Sequence, residues 1–187
     1  FDFSNKRGII LTVADEKSLA YNIAKKLSIV NAGMIIGYQP RNEAKINGIK
    51  DSIKNALFLQ FDVADEGLFE EFFKQVSERF GKIDYIVHSM AFTKKETLKG
   101  KFMDISKENY LLANNISVFS LTQIVQKFLP ILNDNSSIVA LTFTEKVIPS
   151  YNIMGVCKSA LNSSIRYLAN DLGEKQIRVN GISSGPV

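Results

Sequence analysis

Short apolar runs alternate with longer amphipathic stretches along this chain. Six runs are rich in Ile, Val, Leu or Phe and apolar at nearly every position, which is typical of strands covered on both faces. Strands are therefore predicted at Gly8–Val13, Met34–Tyr38, Leu57–Phe61, Ile83–Ser89, Ser137–Phe143 and Ile177–Ile182.

The stretches between the strands carry apolar residues three and four positions apart, the spacing of an amphipathic helix. Asp65 stands where it can cap one of these helices, and Gly81 and Gly173 stand where two of them end. Helices are predicted at Leu19–Ile29, Glu66–Phe80, Lys107–Leu129 and Met154–Leu172, with a shorter one at Asn42–Lys50. The alternation implies right-handed crossovers and an α/β fold with a doubly wound parallel sheet.

The composition is that of one domain with a substantial core. The 187 residues are 45% hydrophobic and 22% charged, and no linker or repeat divides residues 1–187. The chain stops just past the last predicted strand, where doubly wound folds build their ligand sites. We therefore expect the domain to continue beyond Val187.

The net charge of +4 is mildly basic, and the lysines lack the interleaved aromatic residues of nucleic-acid-binding stripes. Nucleic acid is therefore not a predicted partner. The densest basic cluster contains Lys94, Lys95, Lys99 and Lys101. A solvated loop explains it most simply, and docking of an acidic carrier protein or a phosphorylated substrate is the alternative.

The single cysteine and the shortness of the apolar runs indicate the cellular compartment of the protein. Cys157 is the only cysteine, so no internal disulfide can form and a reducing environment is predicted. No apolar run approaches the ~20 residues that span a bilayer, and the first residues show no signal-peptide pattern. The interpretation is a cytoplasmic protein without a membrane partner, and no metal site is predicted.

Tyr151 and Lys158 are the most informative pair in the chain. A spacing of seven returns to nearly the same face of a helix. Lys158 is therefore predicted to hold a cofactor's hydroxyl groups while its charge makes the Tyr151 phenol a better proton donor. Because the same spacing arises by chance on many amphipathic helices, the pair depends on its context.

The first predicted strand and helix are joined where a dinucleotide pyrophosphate meets a helix N-terminus in doubly wound folds. The motif Gly-x-Gly-x-x-Gly is absent, but Ala14, Ser18 and Ala20 are small enough for close backbone approach. A phosphate-binding turn and a plain strand-to-helix turn are equally compatible with this loop.

Several short motifs accompany this loop and the Tyr–Lys pair. They are Ser18-Leu-Ala, Phe61-Asp62-Val63, His88-Ser-Met-Ala-Phe92, Tyr151-Asn-Ile-Met154-Gly-x-x-Lys158, Ile177-Arg-Val-Asn180 and Ser184-Gly-Pro186. Together they resemble the enoyl-acyl carrier protein reductases of bacterial fatty-acid synthesis, a Rossmann-type branch of the short-chain dehydrogenase/reductase superfamily. Most of that superfamily places a catalytic serine where this chain has Thr142 and Phe143, so a ketone or alcohol dehydrogenase is disfavoured.

The resemblance implies reduction of a trans-2-enoyl thioester, carried on acyl carrier protein, by NADH in a homotetramer. Tyr151 would hydrogen-bond the enolate oxygen, and Lys158 would bind the nicotinamide ribose. Met154 would line the acyl pocket, although core packing explains it equally well. The substrate contacts implied are Phe92, Phe143, Tyr151 and Met154.

The resemblance also implies the cofactor contacts. Asp62 would accept from the adenine amino group, the alternative being an ordinary turn aspartate. Gln39 would serve the ribose of NADH, or Arg41 the 2′-phosphate of NADPH. The predicted set is Ala14, Ser18, Leu19, Gln39, Asp62, Val63, Ser89, Met90, Ala91, Lys158 and Pro186.

The resemblance implies a further carboxyl-terminal strand and a substrate lid, which the residues up to Val187 do not include. Three positions within the chain also depart from the family pattern. Thr12 replaces a glycine of the phosphate turn, and a β-branched residue is a poor substitute if that position needs positive φ. Asn22 replaces a helix glycine, and Phe143 replaces a tyrosine and precedes Tyr151 by eight residues instead of ten. These departures motivate one alternative, a catalytically weakened paralogue that binds a nucleotide or a partner. A general short-chain carbonyl reductase is the other.

Overall fold

A six-stranded parallel sheet forms the centre of the fold in the computed structural model, which describes residues 1–144 and 146–184. The strand order is β3-β2-β1-β4-β5-β6. The strands are β1 Arg7–Leu11, β2 Gly33–Tyr38, β3 Ala56–Gln60, β4 Ile83–His88, β5 Leu132–Thr142 and β6 Arg178–Ser183. The predicted doubly wound α/β fold is confirmed.

Six α-helices connect these strands within the described part of the chain. They are α1 Leu19–Ile29, α2 Glu43–Ile49, α3 Glu66–Phe80, α4 Lys107–Asn114, α5 Ser120–Phe128 and α6 Ile153–Leu172. The limits of α1 and α3 are those predicted. Asp65 accepts from the Leu68 amide, and Gly81 ends the same helix at φ 65°. None of the described helices is long and apolar enough to cross a membrane.

Apolar side chains alternate along the strands, so each face of the sheet has its own core. Ile9 and Leu11 point to a layer that contains Phe61, Phe72 and Phe128. The Phe61 and Phe72 rings lie 4.9 Å apart between centroids. On the other face, Ile10 and its neighbours pack against α1 and α2 through a second set: Val13, Ala20, Tyr21, Ala24, Ile36 and Ile46. Helices on both faces explain why the strands are apolar at consecutive positions.

Two predicted elements differ from those observed. The predicted helix Lys107–Leu129 is interrupted by a π-helical turn at Asn115–Phe119. The strand β5 begins at Leu132, five residues before its predicted start. Its first half is polar, a pattern that does not indicate a buried strand. Asn135 lies there at φ 64°, and the register between β4 and β5 shifts in the same region.

The order of the strands determines where a ligand site can form. The chain fills the sheet from β1 outward through β2 and β3, then returns to the other side of β1 with β4, β5 and β6. The direction of winding therefore reverses between β1 and β4. In open α/β sheets, ligands bind at the carboxyl ends of the two strands that flank such a reversal.

Candidate active site

A cavity of about 350 Å³ lies at the carboxyl ends of β1 to β4, at the reversal point. Its lining combines small residues with polar side chains from four loops. The lining residues are Thr12, Ala14, Ser18, Gln39, Arg41, Asn42, Asp62, Val63, Ser89, Met90, Ala91, Phe92 and Ile116. We call this cavity the crevice.

The turn between β1 and α1 forms one wall of the crevice. Thr12 adopts φ 61°, the left-handed conformation that β-branched residues rarely take. Its hydroxyl lies 2.8 Å from Leu11 O and 2.5 Å from Ser89 O, so it can bridge β1 to the segment after β4. Ser18 caps α1 by accepting from the Tyr21 amide at 3.3 Å. Asn22 is exposed and donates to Ser18 O.

A hydrogen-bonded chain crosses the far end of the crevice. Arg41 Nη2 donates to Gln39 Oε1 at 2.6 Å, and Gln39 Nε2 donates to Asp62 Oδ2 at 2.9 Å. The other oxygen of Asp62 accepts from the Ala64 amide at 3.0 Å, as in an ordinary turn. The Arg41 guanidinium also lies over the Phe92 ring, 5.7 Å from its centroid. Both alternatives stated for Asp62 are thus compatible with its position.

His88 ends β4 as a buried structural residue. Its Nε2 lies 2.9 Å from Ser120 Oγ, while its Nδ1 is buried and has no hydrogen-bond partner among residues 1–144 and 146–184. Burial, with a further contribution from the nearby charge of Lys158, lowers the pKa of His88 to about 3. The imidazole is therefore neutral at physiological pH.

Tyr151 does not lie on the helix that carries Lys158. It ends a 3₁₀ turn, Pro149–Tyr151, and Asn152 at φ 44° and ψ −124° separates it from α6. The prediction that a spacing of seven puts both residues on one helix face is therefore wrong in its geometry. The Tyr151 ring instead packs on the Phe143 ring, 4.8 Å away between centroids.

Lys158 is buried, with 5% of its surface exposed. Its ammonium donates to Leu141 O at 2.7 Å. Desolvation lowers the pKa of Lys158 to about 8. Leu141 and Phe143 lie at and just beyond the carboxyl end of β5, so this end of the strand brings the Lys158 ammonium and the Tyr151 ring to the same region.

Residues 13–187 match the family described as enoyl-(acyl carrier protein) reductase. The enoyl-[acyl-carrier-protein] reductase [NADH] 1 of Rhizobium meliloti is 38% identical over 98% of this chain and 69% of its own length. This chain belongs to the enoyl-acyl carrier protein reductase family. The prediction made from the motifs is confirmed.

Solved structures of enoyl-acyl carrier protein reductases share the same fold. The enzyme of Anaplasma phagocytophilum, in complex with NAD, superimposes with a TM-score of 0.94 at 40% identity, covering 99% of this chain and 72% of that one. The Bacillus cereus enzyme, with NADP+ and an indole naphthyridinone, gives 0.94 at 35% identity, covering 100% and 75%.

Most of the predicted cofactor residues of this reductase line the crevice. Ala14, Ser18, Gln39, Asp62, Val63, Ser89, Met90 and Ala91 do so. Leu19 begins α1 and does not line the crevice. Lys158 lies on α6 and does not line it either, although its ammonium contacts Leu141 O near the end of β5. Pro186 lies outside the described residues.

The predicted substrate residues are not gathered in one cavity. Phe92 lines the crevice, and Phe143 contacts Tyr151. Met154 is buried in a small apolar cluster with Ala113, Ile153 and Cys157, against which Tyr151 packs. Core packing, the alternative stated for Met154, therefore describes its surroundings in this structure.

The lining of the crevice has the chemistry that the phosphate and adenosine groups of a dinucleotide require. A capped helix N-terminus with free amide groups faces a wall of small residues, and the far end offers amide, carboxylate and guanidinium groups. Within residues 1–144 and 146–184, no cluster of three or more metal-binding side chains occurs. The amide, carboxylate and guanidinium groups of the lining suit an organic cofactor with phosphate and hydroxyl groups.

Two buried serines near this site were missed from the sequence. Ser117 contacts the main chain of Phe92, and Ser120 contacts His88. Both have no exposed surface. The available signal was a pair of hydroxyls three positions apart on a helix that is otherwise apolar toward the sheet, a pattern that ordinary core serines also produce.

Proposed function

We propose that this chain reduces the trans-2 double bond of an enoyl thioester with NADH, as one unit that combines dinucleotide binding and catalysis. The observation that carries the proposal is the arrangement at the carboxyl end of β5, where a buried ammonium contacts Leu141 O and a phenol packs on Phe143. This strand is the neighbour of β4, and the residues that follow β4 line the crevice. The relatives named above carry the same activity in their names.

The crevice residues would hold the cofactor. When bound, NADH supplies the hydride that is added to the β-carbon of the thioester. The amide groups at the start of α1 would bind the pyrophosphate, because Ser18 occupies only one of the free N–H groups there. Gln39 and Asp62 would bind the adenosine end. Lys158 would exchange its hydrogen bond to Leu141 O for the ribose hydroxyls.

Tyr151 would act on the thioester oxygen. As the β-carbon gains its hydride, negative charge develops on that oxygen, and a phenol O–H directed at it stabilises the transition state more than the ground state. The Phe143 ring fixes one face of the Tyr151 ring, which limits its rotation. The positive charge of Lys158 would favour release of the phenol proton to the enolate.

A general carbonyl reductase would need a free hydroxyl beside Tyr151, and the last residue of β5 does not offer one. Thr142 is buried, and its Oγ1 donates to Asn162 Oδ1 at 2.6 Å. It is therefore occupied in a structural hydrogen bond. The other alternative, the weakened paralogue, retains support from the positive φ of Thr12 and becomes one outcome of the test below.

The thioester would arrive on acyl carrier protein. Lys101 and Lys146 border a largely apolar cavity of about 680 Å³ that also contacts Asn152, next to Tyr151. Lys94 is paired with Glu108 at 3.3 Å, whereas Lys95 and Lys99 are exposed. This basic rim is suited to an acidic carrier.

The assembly and the compartment are also part of the proposal. Tyr110, Leu111 and Phe119 are exposed on α4 and the π-helical turn, and we assign them to contacts within a homotetramer. We assign the protein to the cytoplasm, where the preceding reactions of fatty-acid synthesis would supply the carrier-bound thioester.

The test is oxidation of NADH by the full-length protein with a short trans-2-enoyl thioester. Tyr151→Phe is expected to lower kcat by about 100- to 1000-fold, since it removes one hydrogen bond to developing charge. Tyr167→Phe, at a tyrosine that is 72% exposed, is the matched control and should leave turnover unchanged. Cofactor binding without turnover in the wild type would identify the weakened paralogue instead.

A further inference from the structure

The segment that follows β4 is held at both ends by buried serines. We call residues 88–92 the β4 segment. Beyond His88 it has no regular secondary structure, and Ser89, Met90, Ala91 and Phe92 all line the crevice. Its conformation must therefore be determined by contacts from other elements.

Ser117 fixes the carboxyl end of the β4 segment. Its Oγ accepts from the Phe92 amide at 2.9 Å and lies 3.1 Å from Phe92 O, to which it can donate. One hydroxyl thus binds both main-chain polar groups of a single residue. Its third neighbour is Met154 Sδ at 3.9 Å, in the cluster against which Tyr151 packs.

Ser120 fixes the other end. Its hydroxyl donates to Ile116 O at 2.7 Å, which leaves the oxygen lone pairs to accept from His88 Nε2–H at 2.9 Å. With the Ser120 proton directed at Ile116 O, the neutral imidazole would carry its proton on Nε2. The contact with Ser120 restrains the orientation of the His88 ring.

The π-helical turn brings the two serines to this position. Ser117 lies within the turn, and Ser120 is the first residue of α5. Such turns insert an extra residue into a helix and frequently occur at functional sites. Here the turn gives both hydroxyls a buried location facing the end of β4, with no exposed surface at either serine.

We propose that Ser117, together with Ser120, is a positioning residue that holds the β4 segment in the conformation that binds the cofactor. The proposal rests on the proposed function, because it assumes that NADH lies along this segment. Thr12 contributes a third restraint through its hydroxyl contact with Ser89 O. Neither serine need contact the cofactor or the thioester itself.

The experiment measures NADH binding to Ser117→Ala and Ser120→Ala by nicotinamide fluorescence, without thioester. Loss of the Ser117 hydroxyl leaves both Phe92 groups without that partner, and we expect the Kd for NADH to rise about tenfold. The KM for NADH should rise similarly, with a smaller change in kcat. The control is Ser136→Ala, since Ser136 is 2% exposed and its hydroxyl has no hydrogen-bond partner.

Amide hydrogen exchange provides a readout that does not depend on the cofactor. The Phe92 amide should exchange faster in Ser117→Ala than in the wild type or Ser136→Ala. A Ser117→Ala protein that melts earlier but binds NADH with the wild-type Kd would show a merely structural role and overturn the proposal. Failure of the wild type to bind NADH would refute the proposed function itself, and with it the cofactor role of the β4 segment.

Discussion

The burial of Lys158 makes the stability of this protein depend on pH in a defined direction. Its pKa is lowered from 10.5 to about 8, chiefly by desolvation. Between these values the unfolded chain keeps a proton that the folded chain has released, so the free energy of unfolding rises with pH. Below about pH 8 both states are charged, and the fold bears the full cost of burying the ammonium. At ~1.4 kcal/mol per unit of pKa shift, the total gain is about 3 kcal/mol.

Urea unfolding of the wild type and Lys158→Met between pH 7 and 10.5 measures this gain. Methionine is similar in length and has no charge, so its contribution does not titrate. The difference in free energy of unfolding, wild type minus variant, should increase by about 3 kcal/mol from pH 8 to 10.5. Lys82→Met is the control, because Lys82 also donates to a main-chain carbonyl, Pro130 O at 2.9 Å, but is exposed.

A difference that stays constant within about 0.5 kcal/mol over this range would refute the reasoning, because the buried ammonium would then carry no desolvation cost.

The lowered pKa of Lys158 also has a kinetic consequence. The quantity kcat/KM for NADH reports ionisations of the free enzyme. It should fall as pH rises through about 8, where Lys158 loses the charge assigned to cofactor binding.

Two further substitutions test the ends of the crevice. Arg41→Ala should lower kcat/KM for NADPH about tenfold and leave kcat/KM for NADH nearly unchanged, if the guanidinium pairs with a 2′-phosphate. If the ratio of these two kcat/KM values stays as in the wild type, Arg41 is a solvated turn residue. Thr12→Gly should change the free energy of unfolding by less than about 1 kcal/mol, because relief of the positive φ offsets the lost hydroxyl bond to Ser89 O. Thr12→Val keeps the branched Cβ and loses the hydroxyl, so urea unfolding should show a loss of about 1 to 2 kcal/mol.

The fold was predictable because the apolar periodicity and the capping residues of the sequence indicate the same strands and helices. Every predicted strand overlaps an observed one, since strands covered on both faces are apolar at consecutive positions. The helix α3 was predicted to the residue because Asp65 and Gly81 have local capping roles that do not depend on distant neighbours. The polar half of β5 is not predictable from the pattern because Asn133 and Asp134 resemble turn residues. They lie where the register between β4 and β5 shifts, between the pairs Ile83–Leu132 and Tyr85–Ser137.

The site was predictable where it depends on loops that follow strands, and less so where it depends on backbone conformation. The crevice residues were found because the carboxyl ends of parallel strands meet at one edge of the sheet. The break before α6 at Asn152 has no signal in spacing, so the interval of seven residues wrongly indicates one helix face for Tyr151 and Lys158, although the predicted helix itself begins only at Met154. The contacts of Ser117 depend on a π-helical turn, whose position apolar periodicity does not report.

The central position of β1 also has a consequence for synthesis of the chain. Its β2 neighbour follows within about thirty residues, but β4, which pairs with its other edge, begins only at Ile83. At translation rates of ~5–20 residues per second, that edge waits roughly 4 to 15 s for its partner. The nascent chain would therefore expose an apolar strand edge for seconds, an interval in which a chaperone that shields it would reduce aggregation.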